Sequence, residues 1–157
     1  MRTLSPLLVS LLFMLTGCIP HLGTSPAPFM AVGREGKQLE MFYPSCRDDL
    51  LLEVTVRRID AVRAGGLVDG PVLWQVQSAK GEAIYRVTLG ETPSGFDVTV
   101  PLKGHLPLDR QISVEMRTAR FENTDVDVFT PSELRSDEVQ VYFGEMPREE
   151  FEAETDC

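Results

Sequence analysis

The chain has 157 residues, and 15 lysine and arginine residues against 24 aspartate and glutamate residues give it a formal net charge of −9 at pH 7. A nucleic-acid interface needs clustered basic side chains, so this composition excludes nucleic-acid recognition as the main function. The length suffices for one domain with a hydrophobic core. So acidic a surface is typical of a solvated exterior that anionic lipid head groups repel.

The first element in the chain has the composition of an export signal. Arg2 supplies a short positive region, and residues 7–15 form an apolar segment of the length expected of a secretory signal. A membrane-spanning helix needs roughly 20 apolar residues, and Pro6 and Pro20 bound this shorter segment. We therefore expect a cleaved signal and no transmembrane helix.

Leu15-Thr16-Gly17-Cys18 follows the apolar segment directly and resembles the lipobox of bacterial lipoprotein precursors. The resemblance implies cleavage before Cys18, a diacylglyceryl group on the Cys18 thiol and often a further acyl chain on the new amino terminus. Two or more acyl chains anchor a protein stably, since each buried methylene contributes about 0.8 kcal/mol. The alternative is an ordinary signal peptide that is cut elsewhere and takes Cys18 with it.

This resemblance also divides the chain. Residues 1–17 are the signal peptide, residues 18–28 the lipidated cysteine and a flexible proline-rich tether, and residues 29–157 the folded domain. The residue after the cysteine is Ile19, and by the sorting rule of that family it favours the outer membrane if the source has two membranes. Loss of the signal leaves 140 residues with a net charge of −10, because Arg2 is its only charged residue.

Two cysteines remain once Cys18 is lipidated, and an even pair in an exported protein predicts a disulfide. Cys46 and Cys157 lie 111 positions apart. Closing so long a loop would contribute ~4–5 kcal/mol before strain is counted. The alternative is a reactive Cys46 thiol assisted by Arg47, which would also need a base as partner.

From about residue 37 onward, apolar and polar side chains alternate with the period of half-buried strands. The inward-facing sets of the predicted strands are Leu39 and Met41; Leu50, Leu52, Val54 and Val56; Val72, Trp74 and Val76; Tyr85, Val87 and Leu89; Phe96, Val98 and Val100; Ile112, Val114 and Met116; and Val139, Val141 and Phe143. About seven short strands with one wet face predict an all-β, antiparallel sandwich of immunoglobulin-like or fibronectin-like architecture. Trp74, on the third predicted strand, should lie in its core.

Two segments near the carboxyl end favour short helical turns. Residues 130–133, Thr-Pro-Ser-Glu, fit a capping box with proline at the first helical position. Pro147 opens a second short helix, whose acidic residues lie near the positive end of the helix dipole and whose Phe151 should pack inward. This helix would bring Cys157 to Cys46.

Asn123, Asp125 and Asp127 place three oxygen-bearing side chains two residues apart, a spacing that calcium loops use. The match to an EF-hand loop fails, because its sixth position is Val128 and its twelfth is Leu134, where glycine and glutamate are required. A looser calcium site and a polar loop between strands remain as alternatives. No cofactor is predicted.

Residues capable of catalysis are scattered along the chain. His105 lies in a turn-like segment, and the adjacent acids Asp48-Asp49 and Glu149-Glu150 are of the kind usually found at surfaces. No phosphate-binding loop or dinucleotide fingerprint occurs. We therefore predict a protein without catalytic activity, although a pocket that gathers His105 with a carboxylate and a hydroxyl would favour an enzyme.

Two further groups of residues suit either binding or structure. Tyr43, Phe96, Tyr142 and Phe143 suit a binding patch as well as core or edge positions. The six acids of residues 145–156 suit a docking surface for a basic partner as well as a solvated helix face.

These features favour a lipid-anchored protein of the cell envelope that faces the periplasm or the exterior and has a non-catalytic binding or assembly role. Its expected partners are the membrane, through the lipid on Cys18, and an envelope protein. A small-ligand or calcium-binding lipoprotein is the first alternative, and an envelope enzyme is the second. Residues 129–157 also resemble the ends of small bacterial lipoproteins, a resemblance that implies no activity.

Overall fold

The computed structural model describes residues 30–43, 49–64, 66–120, 124–125, 128–142 and 144–154. Within these ranges the elements are β1 Ala31–Glu35, β2 Gln38–Phe42, β3 Leu51–Arg63, β4 Gly66–Glu82, β5 Arg86–Thr88, β6 Asp97–Val100, β7 Ile112–Thr118, β8 Thr124–Asp125, β9 Glu138–Val141, β10 Gly144–Pro147 and α1 Arg148–Glu154. The strands form two antiparallel five-stranded sheets, ordered β10-β9-β1-β2-β5 and β6-β4-β3-β7-β8. The predicted all-β sandwich is confirmed, with more strands than the seven expected.

The central strands pair as they do in an immunoglobulin-type sandwich. The pairs β1–β2 and β2–β5 correspond to A–B and B–E, and the pairs β3–β7 and β7–β8 correspond to C–F and F–G. β4 takes the place of C′ beside β3. β6, β9 and β10 extend the two sheets beyond this arrangement.

The hydrophobic core lies between the two sheets. Its fully buried side chains include Val32, Leu39, Met41 and Val87 from the first sheet and Val54, Val56, Trp74, Val76, Val114 and Met116 from the second. Trp74 is 1% exposed, as predicted, and lies on β4 because β1 adds an unpredicted strand before it. Burial of each large apolar side chain contributes about 1.5–3 kcal/mol, so this cluster is the main source of stability.

The alternation predicted for the start of β3 is wrong by one position. Leu51 is fully buried, whereas Leu50 and Leu52 are half-buried. The register of β3 shifts between Leu51 and Glu53 against both of its neighbours, and a shift of one residue exchanges the two faces of a strand. Val54, beyond the shift, is buried as predicted.

Two residues predicted to face inward are exposed. Tyr85 is 60% exposed because it precedes the short strand β5, and Val98 is 44% exposed on β6. β6 is an edge strand, so its side chains lack a neighbour on one side. Val87 and Leu89, the other two inward positions of the strand predicted around residues 85–89, are buried.

Helix α1 covers part of the outer face of the first sheet. Phe151 packs there against Ala31, Val139 and Val141, with Phe42 at the margin. The predicted second helix is therefore confirmed. Residues 130–133 form a hydrogen-bonded turn, in which the Glu133 N–H donates to the Thr130 carbonyl at 2.9 Å, and no helix.

Several predicted features lie outside the described residues. These are the lipidation residue Cys18, the disulfide partners Cys46 and Cys157, the calcium candidates Asn123 and Asp127, and Phe143. Asp125 is described only as part of strand β8. No helix in the described ranges has the length and hydropathy to cross a membrane.

Candidate functional site

The strand directions distinguish two ends of the sandwich. β2 ends where β1 begins. Tyr43, after β2, and Thr118, at the end of β7, both donate hydrogen bonds to Asp49, which precedes β3. Met30 therefore lies at the end where β3 starts and β7 finishes, and we call this the Met30 end. The opposite end carries the β1–β2 turn and the loop of residues 101–111.

A buried carboxylate organises the Met30 end. Asp49 is 4% exposed and accepts hydrogen bonds from the hydroxyls of Tyr43 (2.5 Å) and Thr118 (2.7 Å) and from the Arg120 N–H (3.1 Å). Burial alone raises the pKa of Asp49, but these bonds outweigh it and hold the pKa below its ordinary value. Burial and the bond to Asp49 raise the pKa of Tyr43 far above its ordinary value.

The predicted surface position of the paired acids is therefore wrong for Asp49 and correct for Glu149 and Glu150, which are exposed. Local sequence does not reveal the burial of Asp49, because two of its three donors, Thr118 and Arg120, lie 69 and 71 positions away. With its oxygens occupied by internal donors, Asp49 holds the two sides of segment 44–48 together. We assign it a structural role.

The outer face of the second sheet carries a connected polar network around Glu53. Its carboxylate accepts hydrogen bonds from the amides of Gln75 and Gln77 on β4, both at 2.7 Å, and from Arg117 on β7 at 3.2 Å. Burial alone raises the pKa of Glu53, but these donors and the Thr55 hydroxyl lower it below its ordinary value. The network joins three adjacent strands and orders a polar sheet face.

The most prominent candidate for binding is a projecting hairpin. Pairing of β3 with β7 ends at Arg58, and pairing of β4 with β6 begins at Gln75. Residues 60–63 of β3 and 66–71 of β4 therefore pair only with each other among the described strands. We call this segment the arm. It extends past the end of the sandwich opposite to Met30, which we call the arm end.

Apolar side chains are concentrated on the arm. Val62 pairs with Leu67 on one face of the hairpin, and Ala61 pairs with Val68 on the other, because successive side chains of a strand point to opposite faces. The exposed fractions of Val62, Leu67 and Val68 are 59%, 48% and 37%. They are three of the six large apolar side chains exposed in the described ranges, which makes the arm a candidate interaction site.

The sequence did contain a signal for the arm. Val62 and Leu67 flank the Gly65-Gly66 pair, which by itself predicts only a turn. Ala61 and Val62 before the turn, and Leu67 and Val68 after it, are consecutive apolar residues, so each strand carries apolar side chains on both of its faces. Apolar residues on both faces are equally typical of a strand buried on both sides, so the sequence alone does not show that this hairpin is exposed.

A cavity of about 580 Å³ lies at the arm end, between the start of β2, the end of β5 and residues 102–108. Its apolar walls are Leu39, Leu89, Leu102, Leu106 and Leu108, and its polar groups come from Lys37, Gln38, Thr88, Glu91 and His105. The volume and the mixture of apolar walls with few polar groups are those of small-molecule sites.

His105, Glu91 and Thr88 all line the cavity. The described residues show no hydrogen bond among these three, since Glu91 accepts its bond from the Gln38 amide at 3.5 Å. Nucleophilic catalysis needs a nucleophile and a base within hydrogen-bond reach. The cavity therefore contains the three residue types that the enzyme alternative requires. The hydrogen bonds through which they would transfer a proton are absent among the described residues.

The other candidates contribute less. In the described ranges no three histidine, cysteine, aspartate or glutamate side chains form a group that could hold a metal ion. Tyr43 and Phe96 are buried, whereas Tyr142 is 58% exposed. On α1, Glu149 and Glu150 face solvent, as expected of a solvated helix face.

Comparisons of the chain with protein-family models, with curated proteins and with solved structures found no match. Function is therefore inferred from the arm, the cavity and the sequence of the amino-terminal segment.

Proposed function

We propose that this protein is a lipid-anchored, non-catalytic binding protein of the cell envelope, and that it contacts a protein partner through the arm. The lipobox-like segment Leu15-Thr16-Gly17-Cys18 supports the anchor. The observation that carries the binding role is the exposure of Val62, Leu67 and Val68 on a hairpin that leaves the body of the sandwich.

The energetics of the arm favour contact with a partner. A two-stranded hairpin alone is marginally stable in water at best. Arg58 and Asp60 form an ion pair at 2.7 Å. Because each of the two side chains is 43% exposed, this pair adds little stability. An apolar groove that received Val62 and Leu67 would bury side chains each worth about 1.5–3 kcal/mol when fully removed from water.

The position of the arm favours a protein partner over the anchoring bilayer. The described domain begins with Met30 at one end of the sandwich, and the arm lies at the other. A tether from Cys18 joins the domain at Met30. In an anchored domain the arm would therefore lie at the end farther from the point where the tether is attached.

The partner contact is tested by chemical cross-linking in intact cells, followed by mass spectrometry of the joined proteins. We expect one dominant partner that is lost in Leu67→Asp and retained in Val98→Asp, a matched change at an exposed valine of β6. Equal loss in both variants, or no loss in Leu67→Asp, would contradict a contact through the arm.

The anchor is tested by Cys18→Ser in fractionated cells. We expect the variant to be released from the membrane or to remain as an unprocessed precursor. A mature, lipid-modified Cys18→Ser protein would overturn the anchor proposal without affecting the arm.

A further inference from the structure

We propose that the cavity at the arm end binds a small amphiphile with an anionic head group and a hydrocarbon chain, of the class of medium-chain alkyl carboxylates. The site is separate from the arm, so the inference adds a ligand to the partner contact proposed above. It stands on three observations: the apolar walls, the fixed loop that forms one of them, and the unpaired basic groups at the mouth.

The walls are suited to a hydrocarbon chain. Leu39 and Leu89 are buried at the base of the cavity, where the core of the sandwich reaches its end. Leu102, Leu106 and Leu108 are half-buried and pack against that core. Because all five side chains are aliphatic, a ligand lying among them removes apolar surface from water without losing hydrogen bonds.

The loop that supplies three of these leucines is fixed against the end of β5. Gly90 has a φ of +93°, and a Cβ at this position would lie 2.8 Å from the Leu102 Cδ2 atom. The positive φ favours glycine at this position, and the absence of a Cβ leaves room for the Leu102 side chain. Pro101 and Pro107 restrict φ at two positions of this segment, which lowers the entropy cost of holding it in place when a ligand binds.

The charges at the mouth select the head group. Lys37 and His105 line the cavity, are exposed and form no ion pair within the described part of the chain. Glu91, the one acid of the lining, is also exposed and keeps its negative charge, but its carboxylate accepts a hydrogen bond from the Gln38 amide at 3.5 Å. Lys37 has no such partner in the described ranges, so we place the anionic head group at Lys37. In a protein of net charge −9, an unpaired lysine at an apolar cavity complements an anionic head group.

The experiment uses the full chain in membranes of expressing cells and a decanoate analogue with a diazirine at its terminal carbon. After irradiation, labelled peptides are identified and the label on residues 88–91 and 101–108 is quantified. We expect saturable labelling there, displaced by decanoate at least tenfold better than by decylamine. Displacement by hexanoate, octanoate and decanoate should tighten about fourfold for each methylene added.

Variants separate the site from unspecific partitioning into the bilayer. Lys37→Glu, an exposed position, should weaken labelling about tenfold, whereas Lys80→Glu, an exposed lysine at the Met30 end, should leave it unchanged. Leu106→Trp should fill the cavity and abolish labelling, with thermal unfolding measured to confirm that it folds.

Two results would overturn the inference. One is label spread over the chain without saturation at residues 88–91 and 101–108. The other is equal displacement by decanoate and decylamine together with full labelling of Lys37→Glu. Because Lys37 is exposed, its variant decides the matter even if Leu106→Trp does not fold. Neither result bears on the partner contact through the arm.

Discussion

The Tyr43 hydroxyl donates a hydrogen bond of 2.5 Å to the Asp49 carboxylate, and these two buried residues stand on either side of segment 44–48. Thr118 donates to the same carboxylate oxygen as Tyr43, at 2.7 Å. These two bonds therefore connect the end of β2 in the first sheet to the start of β3 and the end of β7 in the second sheet. Removal of the charge should weaken the junction of the two sheets.

We expect Asp49→Asn to lower the free energy of unfolding by about 2–3 kcal/mol, because charge-assisted hydrogen bonds are lost in a buried site. The measurement is urea-induced unfolding at pH 7. The matched control is Asp137→Asn, whose carboxylate is 68% exposed and pairs with Arg135 at 3.3 Å. This control should change stability by less than about 1 kcal/mol.

The same residue predicts a pH dependence. The pKa of Asp49 is lowered in the folded state, so its stabilisation is complete above the ordinary carboxyl pKa of about 3.9 and is lost as the pH falls through the folded value. The pKa of Tyr43 is raised, so stability falls as the pH rises past about 10, where the unfolded phenol ionises. If the free energy of unfolding of Asp49→Asn falls as steeply at acid pH as that of the parent chain, this assignment is contradicted.

The Glu53 network predicts a contrast between two glutamates on the same sheet face. Glu53→Gln should cost about 1–3 kcal/mol, because its half-buried charge serves donors from two neighbouring strands. Glu115→Gln removes a single ion pair, with Arg57 at 3.3 Å, and should cost less than about 1 kcal/mol. Equal losses on thermal unfolding would show that the network adds nothing to isolated pairs.

Gly33 on β1 provides space for α1. A Cβ there would lie 2.7 Å from the Arg148 Nη2 atom and 2.9 Å from the Phe42 Cε2 atom. Gly33→Ala should therefore destabilise the fold by about 1–3 kcal/mol through overpacking. In an Arg148→Ala background the cost should shrink, whereas in a Lys80→Ala background, at an exposed site of the other sheet, it should persist. If the losses of stability caused by Gly33→Ala and Arg148→Ala simply add, the strain of Gly33→Ala does not come from the Arg148 side chain.

Alternation identified much of the second sheet, since Val54, Trp74, Val76 and Val114 are buried where a period of two places them. The prediction from alternation failed at the start of β3, where an extra residue shifts the register. The register shift at Leu51 comes from pairing with two distant strands, and a single strand's sequence does not reveal it.

Strand β1 was missed for a related reason. Its sequence, Ala-Val-Gly-Arg-Glu, lacks a regular apolar period because Gly33 makes room for Arg148, which is 115 positions away. The cavity was also invisible in sequence. Its walls come from three separated segments, and His105 alone indicated only a turn. Exposure of the arm could not be predicted either, because it depends on where β6 and β7 stop pairing.

The predicted disulfide between Cys46 and Cys157 remains open to a simple measurement. The intact mass of the oxidised protein, before and after reduction and alkylation, should show two thiols that react only after reduction. Reduction should also lower stability, by about 4–5 kcal/mol on the loop-entropy estimate. Free thiols at both cysteines in protein taken directly from the cell envelope would refute the bridge.

The central claim is that the arm, and not the exposed positions Val98 and Tyr142, meets a protein partner. The direct measurement places a photoreactive amino acid at position 62, 67, 68, 98 or 142 in turn and irradiates intact cells. We predict one adduct of constant partner identity from positions 62, 67 and 68, with little from 98 and 142, although these are exposed to a similar degree. Adducts of equal yield from all five positions, or none from the arm, would contradict the claim.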